Sequence, residues 1–87
     1  MKTIWKYPLE ITDQQFVEVP EGSELLTVQM QNGTPQLWVK CDNNKPKVFK
    51  RIRIYGTGHK LWADDETYLA TFQVYDGDLV FHVFVGN

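Results

Sequence analysis

Between positions 48 and 55 the chain alternates two kinds of side chain. Phe49, Arg51, Arg53 and Tyr55 fall on one face of an extended strand, and Val48, Lys50, Ile52 and Ile54 on the other. Guanidinium groups bond phosphate oxygens in pairs, and an aromatic ring stacks a base for about 1–3 kcal/mol. A face that interleaves the two suits a nucleotide or another ring-bearing anion. It also has a plain structural reading, in which arginine stems cover the rings and the charges pair with acids on nearby strands. Immediately afterwards, Gly56-Thr57-Gly58-His59 offers a backbone that a ligand can approach closely and successive N–H groups that can cradle an anion. The third glycine and following helix of a dinucleotide fingerprint are missing, and a tight turn accounts for the two glycines as well. Phe49, Arg51, Arg53, Tyr55, Gly56, Thr57, Gly58 and His59 form the expected ligand-binding set.

The two imidazoles, His59 and His82, are 23 residues apart. A histidine pair can run acid–base cleavage of a phosphodiester. His82 lies in the apolar run Phe81-His82-Val83-Phe84, where a hydrogen-bonded histidine inside the fold is the simpler expectation. No metal-ligand spacing connects the two, so neither a metal site nor a cofactor is expected. Ser23 reads as a turn residue and Cys41 as a small core residue, and neither sits in a nucleophile elbow. No catalytic residue is assigned, and a non-enzymatic chain is expected.

The elements that must position these groups follow a two-residue period, the signature of half-buried strands. Ile4, Lys6 and Pro8 oppose Trp5, Tyr7 and Leu9, and the proline ends this strand or puts it at an edge. Phe16, Val17 and Val19 make a second strand closed by Pro20-Glu21-Gly22, with Thr12 and Gln15 able to cap a helical turn before it. Leu26, Val28 and Met30 lead through Asn32-Gly33 to Leu37–Cys41; Asn-Gly is a hairpin signal, and Thr34-Pro35 lengthens the expected loop. The loop at 42–46 precedes the arginine strand. Runs at 67–75 and 79–85 flank Asp76-Gly77-Asp78, a second hairpin signal. Leu79–Val85 is apolar on both faces and should be central or paired in an oligomer. The connector at 60–66 could hold a short helix capped by Asp64-Asp65-Glu66, or be a solvated acidic loop. The expectation is one all-β domain over 1–87, a small β-sandwich or partly open barrel of about seven mainly antiparallel strands.

With 87 residues, 43% of them hydrophobic, the chain has room for one core. A domain of this size buries only about 60–65% of its unfolded surface, which makes a homo-oligomer an expected remedy. A single cysteine, no signal peptide and no long apolar run point to a cytoplasmic protein without a membrane partner. The net charge of −2 hides a segregation: Lys40 to Lys60 carries seven bases against Asp42 and so +6, and the remainder carries −8. A local positive field in an acidic chain favours a discrete anion over extended nucleic acid.

Ile4-Trp5-Lys6-Tyr7-Pro8-Leu9, Val19-Pro20-Glu21-Gly22, Leu26 to Gly33, Leu37-Trp38, Tyr55-Gly56-Thr57-Gly58-His59 and Phe81-His82-Val83-Phe84 occur in that order. The ordered set resembles a family of short proteins encoded by bacteriophages and prophages, and the resemblance spans nearly the whole chain. Phe81 stands where such proteins often have tryptophan, and the stretch 45–53 is more basic than theirs. The resemblance implies an accessory protein acting in the host bacterial cytoplasm, including a counter-defence role. One form is a stoichiometric sponge for a cyclic nucleotide immune messenger. Another is an interaction module that inhibits a host or phage protein through a strand edge or the aromatics Trp5, Tyr7, Trp38 and Trp62.

Overall fold

The computed structural model of the chain describes residues 1–86. Alternating burial resolves into seven strands: β1 (Lys2–Pro8), β2 (Gln14–Pro20), β3 (Glu24–Gln31), β4 (Thr34–Asp42), β5 (Lys47–Gly56), β6 (Thr67–Val74) and β7 (Leu79–Val85). They form a three-stranded sheet in the order β1-β4-β3 and a four-stranded sheet in the order β2-β5-β7-β6. All pairings are antiparallel. The sheets stack as a sandwich, with β3 close against β6 along one side, and do not close into a barrel. No helix long and apolar enough to cross a membrane occurs among the described residues.

The inward set of each strand makes a single core. Val17 and Val19 come from β2, Val28 from β3, Leu37, Val39 and Cys41 from β4, Ile52 and Ile54 from β5, Ala70 and Phe72 from β6, and Val83 from β7. Trp5 and Tyr7 pack against this core from β1, and Trp38 is half-buried beneath the Lys6 ammonium. Of the four aromatics expected at the surface, only Trp62 is strongly exposed. β7 is central, as its two apolar faces require, and β1 is an edge strand that ends at Pro8.

Three local expectations give way. The β3–β4 loop is the minimal two-residue turn, with Asn32 and Gly33 both at positive φ and Gln31 already paired with Thr34. Pro35 belongs to β4. Its carbonyl turns to the β1 side, where it accepts only from Leu9 N–H, so the proline's missing donor lies beyond the paired span of β1. Gln15 caps no helical turn; it belongs to β2, and its side-chain amide folds back to bond both the N–H and the carbonyl of Glu10. The connector between β5 and β6 is irregular, without a helix at Asp64-Asp65-Glu66.

Candidate functional site

β5 divides its side chains as its alternation demands. Ile52 and Ile54 enter the core, while Phe49, Arg51, Arg53 and Tyr55 stand on the outer face of the four-stranded sheet. The register sets Phe16 opposite Arg51, Phe84 opposite Arg53 and His82 opposite Tyr55. The β5–β6 connector then folds back over this face and delivers Glu66, whose side chain is only 1% exposed.

That carboxylate occupies the arginines. Glu66 Oε2 lies 2.9 Å from Arg53 Nε and 3.9 Å from Arg51 Nη2. The close contact is an ion pair and not an aligned hydrogen bond, because the Arg53 Nε–H does not aim at the oxygen. The other oxygen, Oε1, accepts from the Tyr55 hydroxyl at 2.6 Å, and Tyr55 Oη accepts in turn from Trp62 N–H. Arg51 lies across the end of β7, against the backbone of Gly86, where any side chain would displace it. The expected solvated acidic loop is therefore wrong at Glu66: burial beside two guanidiniums makes this carboxylate a structural counter-ion.

The eight expected ligand-binding residues thus separate into two groups. Phe49, 69% exposed, lies toward the start of β5, opposite Glu18 and away from the rest. Arg51 and Arg53 are committed to Glu66. Tyr55 is buried, with Phe84 edge-on to it at 5.6 Å and Tyr68 edge-on to Phe84 at 5.6 Å. This leaves Tyr55 as a wall and not a free stacking platform. Gly56, Thr57, Gly58 and His59, with Tyr55, line an open recess of about 200 Å³, completed by Leu61, Tyr68, His82 and Phe84.

The recess brings the two histidines together. His59 closes a tight turn by donating its N–H to the Gly56 carbonyl, and its ring folds over Gly56, where only a glycine leaves room. Gly58, at φ +87°, supplies the left-handed step of that turn. His82 is held at both nitrogens: Nε2 is 2.7 Å from Thr57 Oγ1 and Nδ1 is 3.0 Å from Thr71 Oγ1, which itself bonds the Tyr68 hydroxyl at 2.7 Å. His82 makes the expected hydrogen bonds but is not buried inside the fold: it alternates with the core residue Val83, stands on the outer face of the sheet and is only half-buried. A hydroxyl beside an imidazole is the start of a nucleophile–base pair, but the group orienting His82 is a hydroxyl, which lacks the charge that would stabilise an imidazolium. Among the described residues no three His, Cys, Asp or Glu side chains converge as a metal site would require.

Sequence reasoning left Thr71, Tyr68, Phe84 and Glu66 out of the site. Their placement depends on β7 lying between β5 and β6, and no local motif encodes that order.

Tyr55 and Tyr7 have phenol pKa values raised above the ordinary 10, in both cases chiefly by burial; the Glu66 carboxylate adds to the effect at Tyr55 and Cys41 at Tyr7. The folded state therefore holds these protons more tightly than the unfolded chain. Their contribution is complete below pH 10 and is lost as pH rises through the folded-state values. The urea midpoint is expected to fall progressively above about pH 10, and less steeply in Tyr55→Phe.

The chain matches, over residues 1–87, the family described as "Domain of unknown function (DUF7352)", and it belongs to that family. No curated protein and no solved structure gives a match.

Proposed function

We propose that this chain, a member of a family whose description assigns no activity, is a non-enzymatic binding protein for an anionic small ligand. The site is the recess beside Gly56–His59. One observation carries the reading: the β5–β6 connector and the β5–β7 register converge two imidazoles and the Thr57 hydroxyl on one recess walled by Phe84 and Tyr68. The His59 imidazole can donate to a phosphate oxygen, His82 and Thr57 can do so only by exchanging the bonds they already make, and the rings offer apolar edges to a base or sugar. The arginines contribute a residual positive field from behind Glu66, not direct phosphate bonds. The recess is smaller than the roughly 300–1,000 Å³ of sites for drug-sized ligands, so it fits one nucleotide unit of a larger messenger. The resemblance to phage-encoded proteins supports capture of a cyclic nucleotide immune signal in the bacterial cytoplasm.

Calorimetry against inorganic phosphate, nucleoside monophosphates and cyclic mono-, di- and trinucleotides tests this. Binding tighter than about 100 μM to at least one nucleotide is expected, with the ligand recovered intact after denaturation. Absence of binding across the panel overturns the reading. Recovery of cleaved ligand replaces it with phosphodiester chemistry by His59 and His82.

A second reading rests on the aromatics left uncovered on the same sheet and its connector, Phe16, Phe49, Trp62 and Tyr68. Such rings with arginine between them are the composition of a protein interface. A pull-down from host lysate that returns one stoichiometric partner, lost in Trp62→Ala, favours this alternative.

A further inference from the structure

A sandwich of two open sheets has four edge strands, each a template for pairing unless it is blunted. Three of the four carry a protective device. β3 has a bulge between Leu25 and Thr27, β6 has one between Tyr68 and Ala70, and these two edges lie close together across the sandwich. β1 presents exposed Lys2 and Lys6 and ends in Pro8. β2 shares only the terminal proline and has neither a bulge nor a lysine. It contains no arginine either, and has Glu18 as its one charge.

The hydrogen-bond parity of β2 can be read from its ends. Asp13 accepts from Ile54 N–H at 3.3 Å, and Glu21 N–H donates to the Pro46 carbonyl at 2.8 Å. Odd-numbered residues therefore address β5. In an antiparallel ladder the alternate residues, Gln14, Phe16 and Glu18, turn both N–H and C=O to the open edge, where the Gln14 carbonyl also accepts from the Thr12 hydroxyl at 3.3 Å and keeps a second lone pair. Their side chains stand on the outer face, where Phe16 is 57% exposed and diagonal to Phe49, itself 69% exposed.

We infer that β2 pairs antiparallel with β2 of a second copy, about a two-fold axis at Phe16, to give a continuous eight-stranded outer sheet. This register forms complete hydrogen-bonded pairs at all three outward positions. Phe16 meets its own counterpart, and the two Phe49 rings flank them. Each Glu18 faces a Gln14, and the two carboxylates sit about 13 Å apart along the strands, beyond the roughly 8–10 Å range of screened interactions. A two-fold at Glu18 would place the carboxylates against each other, and one at Val17 would set each ring against a carboxylate. Charge and ring contacts together select the Phe16 register. A partner strand of other sequence could use the same edge, but the self-complementary pattern specifies a copy of this chain.

Sedimentation equilibrium of the full chain tests the inference. A dimer of the 10.2 kDa protein is expected at micromolar concentration. Phe16→Lys should weaken it at least tenfold. Glu18→Pro removes an outward N–H while sparing every β2–β5 bond, and should do the same without unfolding the protein. Hydrogen exchange at Phe16 and Glu18 should slow as concentration rises, with exchange at Val17 unchanged. A chain that stays monomeric to about 500 μM overturns the proposal, as does a dimer that survives both substitutions.

Discussion

Glu66→Ala is expected to lower the unfolding free energy by about 3 kcal/mol, which for a domain of this size moves the thermal midpoint down by about 12–24 °C. The carboxylate is almost wholly buried and serves three groups at once: the Tyr55 hydroxyl, the Arg53 guanidinium and, more distantly, Arg51. Removing it leaves Arg53, whose side chain is 19% exposed, without a counter-charge, and leaves the buried phenol without its acceptor. Arg51, at 33% exposure, keeps more access to water and contributes less to the loss. Glu66→Gln retains an acceptor for Tyr55 and should lose less than alanine does. Exchanging Arg53 and Glu66 together for apolar residues of similar volume should recover part of the stability, since the desolvated pair is removed as a unit while the partly exposed Arg51 and the Tyr55 hydroxyl still lose their partner. Urea unfolding read by tryptophan emission measures all three. Trp62 N–H donates to Tyr55 Oη, the same hydroxyl that Glu66 accepts from, so Trp62 emission should report loosening at denaturant concentrations below the global transition. A loss smaller than about 1 kcal/mol would mean that the cluster behaves as an exposed ion pair.

The sequence made the strands legible because their information is local. Asn32-Gly33 marks one hairpin, and the two-residue period of Phe49 to Tyr55 assigns each side chain to its face before any partner is known. It misplaced Pro35 because a proline after a turn residue reads as loop, whereas a position beside the end of β1 has no need of the donor that proline lacks. The fate of the arginines was not legible. Glu66 belongs to an acidic run that reads as solvated, and only the return of the connector across β5 converts it into a buried counter-ion. His82 and Tyr55 become neighbours through strand order, which neither alternation nor turn chemistry specifies. The glycine-rich turn Gly56–His59 was legible because it follows β5 directly; what the sequence could not supply was the opposite wall, Tyr68 and Phe84, with Thr71 bonded to His82, contributed by two strands distant in the chain.

Gly56→Ala separates the recess from the arginine face, and it is expected to weaken binding of the tightest nucleotide in the panel by about tenfold or more. A Cβ at this position would sit 2.8 Å from His59 Cε1 and 3.0 Å from Nδ1, so the imidazole must leave its place over the strand. The backbone there is not in the left-handed region, and alanine is admissible in it; stability should change by less than about 1 kcal/mol. His59→Ala should reproduce the same loss, since both substitutions remove one donor from the recess. Gly58→Ala acts differently: its Cβ meets nothing within 4 Å, but the φ of +87° strains the turn and costs about 1–2 kcal/mol of stability. Arg51→Ala should leave affinity within about twofold, because that guanidinium is turned to Glu66 and the end of β7. The opposite ranking, with Arg51→Ala losing affinity and both Gly56→Ala and His59→Ala binding normally, would put the anion on the arginine strand and require Glu66 to move aside on binding.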